Sequence, residues 1–219
     1  MSANVRIEKG LGSFIDGARR FADRWIAWLF RLILRTPNNV SLAGVVIFTT
    51  GCVLWSFQRN NPTFRWWGIG IATFGAMFDW FDGAVARNYD MKSSFGGIFD
   101  SVLDRVIDGV IPMTIMLYQP TKQNIAVCSA AMIGSFLVPY CNAKSEIENL
   151  KFRLRRPGVK VPLRLDVGFG RRLVRLVAYG VFVLVNQPIY GVWFVAALAA
   201  ITTGQRLQEL RKVDERDKR

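Results

Sequence analysis

Four aspartates, Asp79, Asp82, Asp100 and Asp104, occupy or border stretches that are otherwise apolar. A carboxylate in that setting is costly unless it faces a polar cavity, pairs with a cation or binds a metal, so all four are candidate functional residues. Their spacing sharpens the point. Asp79, Asp82, Gly83, Ala86 and Arg87 recur at three- and four-residue steps and share one helix face. Gly96, Asp100 and Asp104 step by four along the next helix. The connection is short, so the two helices should be antiparallel neighbours. At the helical rise, Asp82 lies about 7.5 Å and Asp79 about 12 Å from Arg87, with Asp100 about 6 Å and Asp104 about 12 Å beyond Gly96. The carboxylates thus form two tiers facing across a helix pair.

Four negative charges that close repel unless something cationic lies among them. An all-carboxylate set without His or Cys points to a hard divalent ion, Mg²⁺ or Mn²⁺. Two such ions, about 3.5–4 Å apart, would neutralise the set and suit phosphoryl transfer. Gly83 and Ala86 keep the metal face low enough for a ligand to approach, and Gly96 and Gly97 do the same at the mouth. Arg87, near the end of its helix, could contact a phosphate. The plainer readings are that the glycines only pack helices, and that these aspartates, with nearby Asp108, only pair with Arg87, Arg105 and Arg175.

The elements that must position this set are membrane helices. The 219 residues suit one domain or two small ones. A positive mean hydropathy of +0.22 alongside 21% charged residues means that oily and charged segments are segregated. The absence of histidine excludes Ser-His-Asp and Cys-His devices and the usual zinc site. Cys52, Cys128 and Cys141 lack CxxC spacing and fall in apolar stretches, so packing is their expected role. Val40–Phe57, Trp66–Phe78 running on helically through Arg87, Phe95–Tyr118 and Ile125–Ala143 read as spans. Leu173–Thr203, broken at Asn186-Gln187-Pro188, supplies two short ones. The expectation is an all-α integral membrane protein with six transmembrane helices.

Before them, Ile7, Leu11, Phe14, Ala18, Phe21, Trp25, Trp28, Leu29 and Leu32 recur mostly at helical intervals, with Arg20, Arg24, Arg31 and Arg35 mostly off that stripe. This is the profile of a basic amphipathic helix lying in the headgroup plane, and it is too charged for a cleavable signal. Pro37-Asn38-Asn39 should end it. Residues 1–39 therefore form a juxtamembrane segment, 40–208 the six-helix domain and 209–219 a charged tail. Lys and Arg number seven in residues 1–40, two in 87–94, nine in 144–172 and six in 206–219, against Arg59, Arg65 and Lys122 in the alternate loops. The asymmetry puts both termini, and the end of the bundle carrying the carboxylates, on the cytoplasmic side. It also accounts for the net charge of +13 without a nucleic-acid partner.

Asp79-x2-Asp82-Gly83-x2-Ala86-Arg87-x8-Gly96-x3-Asp100-x3-Asp104 resembles the full signature of the CDP-alcohol phosphatidyltransferases, eight positions at fixed spacing over 26 residues. The resemblance implies transfer of a phosphatidyl-type group from a CDP-linked lipid to an alcohol, with release of CMP. It implies a divalent-metal site on Asp79, Asp82, Asp100 and Asp104. It places the CDP moiety on Asp82, Gly83, Ala86, Arg87 and Gly96. Periodicity does not choose between Asp79 and Asp104 as general base; the resemblance favours Asp104. A homodimer is a further expectation from the family.

The fourth-to-fifth loop and its flanks are strongly basic, which favours an anionic acceptor, although positive-inside charge explains many of these residues equally well. Phe99-Asp100-Ser101-Val102-Leu103-Asp104-Arg105 and Tyr140-x2-Ala143-Lys144-x-Glu146 are similar to the prokaryotic phosphatidylinositol-phosphate synthases. So are Asp166-Val167-Gly168-x2-Arg171-Arg172-x2-Arg175 and Gln205-Arg206, while Pro139 and Asn142 depart from that branch. The likeness implies CDP-diacylglycerol as donor and inositol phosphate as acceptor, held by Lys144, Arg172 and Arg206. Glycerol 3-phosphate is the rival acceptor, with serine and free inositol also open. A divalent-cation transporter is the rival of another class.

Overall fold

The computed structural model describes residues 23–155 and 172–217, and all regular structure among them is helical. Helix α1 covers 23–34. It is followed by α2 (Pro37–Ser56), α3 (Thr63–Ala76), α4 (Phe78–Asn88), α5 (Ser94–Tyr118), α6 (Lys122–Arg155), α7 (Arg172–Leu184) and α8 (Pro188–Asp217). Residues up to Ile107 form one compact unit and those from Asp108 onward a second, with α5 running through both.

In the first unit, α1 stops at Arg35, whose φ of 66° no helix continues. Thr36 is extended and its hydroxyl accepts the Asn39 N–H, while Pro37 opens α2 at a position where no N–H is required. The expected amphipathic helix is thus helical over 23–34; the part from Ile7 to Phe21 lies outside the described residues. Its inward face differs from the expected stripe. Ala27 is fully buried and Ile26, Phe30 and Leu34 pack on Val40, Phe78, Phe81 and Val85. Trp25, Trp28, Leu29 and Leu32 are exposed. The segment is apolar on two sides, and the protein covers the one bearing the slimmer residues.

Helices α2 and α3 are in backbone contact. A Cβ at Gly68 would lie 2.6 Å from the Trp55 nitrogen, and one at Gly51 2.8 Å from the Ala72 Cα. Glycine at these crossing points permits the close approach that stabilises helix pairs. The second expected span is not one helix. It breaks at Met77, whose N–H is shared between the carbonyls of Thr73 and Phe74 at 3.3 and 3.1 Å. That tightening toward three-residue bonding separates α3 from α4 and lets α4 start anew with the first aspartate.

In the second unit α6 packs on α8, with Ala131, Val138, Val192, Val195 and Ala199 buried. The break between α7 and α8 falls where expected, at Asn186 with φ 59°. Asn tolerates this left-handed conformation better than most residues. Asp108 and Arg175 form an ion pair of 2.8 Å, each side chain only 2% exposed. Cys128 and Cys141 are buried and all three cysteines are free, as packing residues would be.

Among the described residues, three stretches are long and apolar enough to cross a membrane, Pro37–Arg59, Lys122–Glu148 and Pro188–Glu209. The remaining expected spans fall short for visible reasons. The second is divided at Met77, α7 has 13 residues, and α5 carries Asp100, Asp104, Arg105 and Asp108.

Removing one member of a buried ion pair leaves the other charge uncompensated. Asp108→Ala is expected to cost about 3–5 kcal/mol, whereas Asp108→Leu combined with Arg175→Met recovers most of that loss. Thermal unfolding of the detergent-solubilised protein measures both.

Candidate functional site

Helix α4 presents Asp79 in its first turn and Arg87 in its last, and α5 brings Asp100 from its second turn. One carboxylate oxygen from each of Asp79, Asp82 and Asp100 lies within 4.8 Å of the other two. Oxygens that share one octahedral Mg²⁺ or Mn²⁺ ion lie about 3–4.2 Å apart, so modest rotation of these side chains brings the set onto one ion. The donors are all hard oxygens, which fits such a cation and not a soft one. Among the described residues this is the only such gathering of potential ligands. Asp104 is not in the triplet; it lies one turn further along α5, with Oδ2 3.8 Å from the Arg105 guanidinium.

The orientation of Asp82 is fixed from another element. The Ser41 hydroxyl on α2 donates to Asp82 Oδ2 at 2.5 Å. Outer-sphere bonds of this kind hold a carboxylate in the ligating rotamer and leave its second oxygen available.

Beside the cluster is a cleft of about 320 Å³, bordered by Pro37, Asn38 and Ser41 of α2, Asp82, Gly83 and Ala86 of α4, and Gly96, Gly97 and Asp100 of α5. Ser93 caps α5 by accepting the Gly96 N–H at 2.9 Å. The cleft therefore meets a helix N-terminus, where the unpaired N–H groups and the helix dipole favour an anion. The small residues have a steric reason to be there. A Cβ at Gly96 would lie 3.1 Å from Ser93 Oγ and 3.3 Å from Asn38 Oδ1, narrowing the mouth. A Cβ at Gly83 would come within 2.9 Å of Arg87 Nη1, so this glycine clears a bed for the arginine, which lies back along its own helix. Arg87 is also paired with Asp23 of α1, 3.7 Å away.

The expected acceptor residues Lys144, Arg172 and Arg206 belong to the second unit, on α6, α7 and α8. Lys144 is exposed, Arg172 half-buried and Arg206 buried. Arg206 Nη1 donates to the Val138 carbonyl, which ties its guanidinium to α6. The stretch Asp166–Arg171 lies outside the described residues.

Two contacts have little signal in the sequence. Ser41 precedes Asp82 by 41 positions, and no short-range pattern links them. Asp23 is an acid within a basic segment, an irregularity that periodicity alone passes over. Salt bridging accounts for part of the acidic set, since Asp108 belongs to Arg175.

These features define a helical membrane enzyme with a carboxylate cluster beside an anion-favouring, glycine-lined cleft. The chain belongs to the CDP-alcohol phosphatidyltransferase family, whose description matches residues 34–204, and it is a transferase of that class. It is 30% identical over 177 residues to the archaetidylinositol phosphate synthase of Pyrococcus horikoshii, covering 81% of this chain and 84% of that one. A CDP-diacylglycerol–glycerol-3-phosphate 3-phosphatidyltransferase of Rickettsia prowazekii is 30% identical over 108 residues, 49% of this chain and 58% of that one. The fold is shared with the phosphatidylinositol phosphate synthase of Mycobacterium tuberculosis solved with CDP-DAG bound (TM-score 0.68, 23% identity, 85% and 93% covered). It also matches that enzyme in complex with manganese and citrate (TM-score 0.64, 23% identity, 84% and 88% covered).

If Ser41 orients Asp82 for a metal, Ser41→Ala lowers Mn²⁺ affinity by about tenfold. Asp82→Asn lowers it further, and the free Mn²⁺ signal in an electron paramagnetic resonance titration reads both.

Proposed function

We propose that this enzyme transfers the phosphatidyl group of CDP-diacylglycerol to inositol phosphate, releasing CMP. The observation that carries the reaction is the convergence of Asp79, Asp82 and Asp100 on one small volume at the edge of a cleft lined by Gly83 and Gly96. In this reading Asp79, Asp82, Asp100 and Asp104 hold two divalent ions, Mg²⁺ or Mn²⁺. Bound there, such ions supply the positive charge that a diphosphate and a departing CMP need. Gly83, Ala86 and Gly96 let the diphosphate approach the backbone, Asp82 borders it, and Arg87 contributes a guanidinium to its oxygens.

The acceptor hydroxyl is a very weak acid and needs a carboxylate to take its proton as it attacks. Asp104 fills that role, one helical turn beyond Asp100. The acceptor oxygen forms a bond to the phosphorus that carries the lipid, the bond from that phosphorus to the CMP oxygen breaks, and the proton passes to Asp104. Lys144, Arg172 and Arg206 bind the acceptor's phosphate.

Inositol phosphate is preferred over glycerol 3-phosphate because the archaeal inositol-phosphate relative matches this chain over 81% of its length and the glycerol-phosphate relative over 49%. The bundle of residues 40–208 spans the membrane six times, with α3 and α4 together making one crossing. Helix α1 lies along the cytoplasmic surface, where Trp25, Trp28, Leu29 and Leu32 meet lipid. The site, the 209–219 tail and both termini face the cytoplasm, and the enzyme works as a homodimer.

Purified enzyme given CDP-diacylglycerol, Mg²⁺ and one acceptor at a time should release CMP faster with inositol phosphate than with glycerol 3-phosphate, serine or free inositol, by about tenfold or more. Product with glycerol 3-phosphate alone overturns the acceptor assignment. Asp104→Asn should slow turnover by about 10²–10⁴-fold, and near-normal turnover refutes its role as base.

A further inference from the structure

We infer that Asp23 of α1 is a positioning residue for the donor site, acting through Arg87; this rests on the reading of Arg87 as a diphosphate contact. Four observations meet at one place. Asp23 Oδ2 lies 3.7 Å from Arg87 Nη2, and the Asp23 side chain is only 16% exposed. Its other oxygen is buried and accepts no hydrogen bond among the described residues, and Arg87 is a cation placed to offset its charge. Gly83 leaves the space that the Arg87 guanidinium occupies, directly beside the cleft. Finally, α1 is not loosely apposed. Ile26, Ala27 and Phe30 pack on Phe78, Phe81 and Val85, and the Arg31 guanidinium stacks 4.0 Å over the Tyr89 ring just beyond Arg87.

Arginine has many rotamers, and an unrestrained guanidinium on the last turn of a helix spends little time in any one of them. Asp23 holds this one back over Gly83, a residue that borders the cleft, before the ligand arrives. The gain is preorganisation: the ordering cost of Arg87 is met in the folded protein and not on binding. A carboxylate beside a phosphate-binding arginine also competes with the phosphate for it. The 3.7 Å separation favours the first effect, because it is longer than a tight bidentate pair and leaves guanidinium N–H groups available.

The experiment is calorimetric titration of the full-length enzyme with CDP in the presence of Mg²⁺, together with steady-state kinetics. Asp23→Asn is expected to weaken CDP binding, and to raise KM for the CDP-lipid, by about three- to fivefold, with kcat and the acceptor KM moving less than about twofold. Asp23→Glu, which restores the charge, should bind CDP like the parent enzyme. In an Arg87→Ala background, Asp23→Asn should add nothing. If Arg87→Ala weakens CDP binding but Asp23→Asn leaves it unchanged or tightens it, the positioning role is overturned and the reading of Arg87 stands. If Arg87→Ala itself has no effect on CDP binding, both fall.

Discussion

Several carboxylates gathered in a largely apolar helical unit repel one another, and that cost constrains the rest of the first unit. The stabilising partners come from α2 and α5. Ser41 on α2 donates to Asp82, Arg105 lies next to Asp104 on α5, and the α5 N-terminus borders the cleft that Asp100 shares. None of these offsets the charge of three oxygens within 4.8 Å of one another. Hard divalent cations do, which makes the cluster as much an electrostatic requirement of the fold as a device for chemistry. The same reasoning separates Asp108 from the set. It pairs with a buried arginine, and its charge is balanced without a metal.

Precision at the cluster depends on helices that cannot slide. Contact of α2 with α3 at Gly51 and Gly68 is backbone against backbone, so any displacement meets hard repulsion within a fraction of an ångström. The break at Met77 then turns that rigid pair into a platform for α4. Phe78 and Phe81, immediately after the break, enter the cluster with Val40 and α1. Their rings lie 5.4 Å apart, and Phe30 of α1 stacks on Phe81 at 4.7 Å. Asp79 and Asp82 alternate with these aromatic anchors along α4, so the residues that bury one side of the helix fix the direction of the carboxylates on the other.

The site was legible in the sequence to the extent that it is local. Asp79, Asp82, Gly83, Ala86 and Arg87 lie within three helical turns, and a period of 3.6 is enough to bring them to one face. Asp100 follows after a short connection, which leaves few alternatives to an antiparallel neighbour. The break between α7 and α8 was legible for a similar reason, since Asn186-Gln187-Pro188 is a chemical signal in itself. Contacts between distant segments had no such signal. Ser41 reaches Asp82, and Asp23 reaches Arg87, only because α1 and α2 pack on α4. The side of α1 that packs on the protein had no such signal either, because periodicity reports that a face is apolar, not whether protein or lipid covers it. The break at Met77 was equally silent, because no proline or Asn-Gly pair marks it.

The two units differ in the side chains they offer. The acidic cleft of the first unit is built from glycines and short carboxylates, a geometry that suits a compact, highly charged diphosphate and tolerates little variation. The second unit carries long basic side chains along its helices, among them Arg206, tied to the Val138 carbonyl, and Arg175, paired with Asp108. Long side chains on a helical frame can be exchanged without disturbing the cores beneath them. On the proposed assignment, a donor site held by backbone contact and an acceptor site held by side-chain reach would let one family keep its CDP chemistry while changing the alcohol. Its relatives named for inositol phosphate and for glycerol 3-phosphate are in keeping with that arrangement.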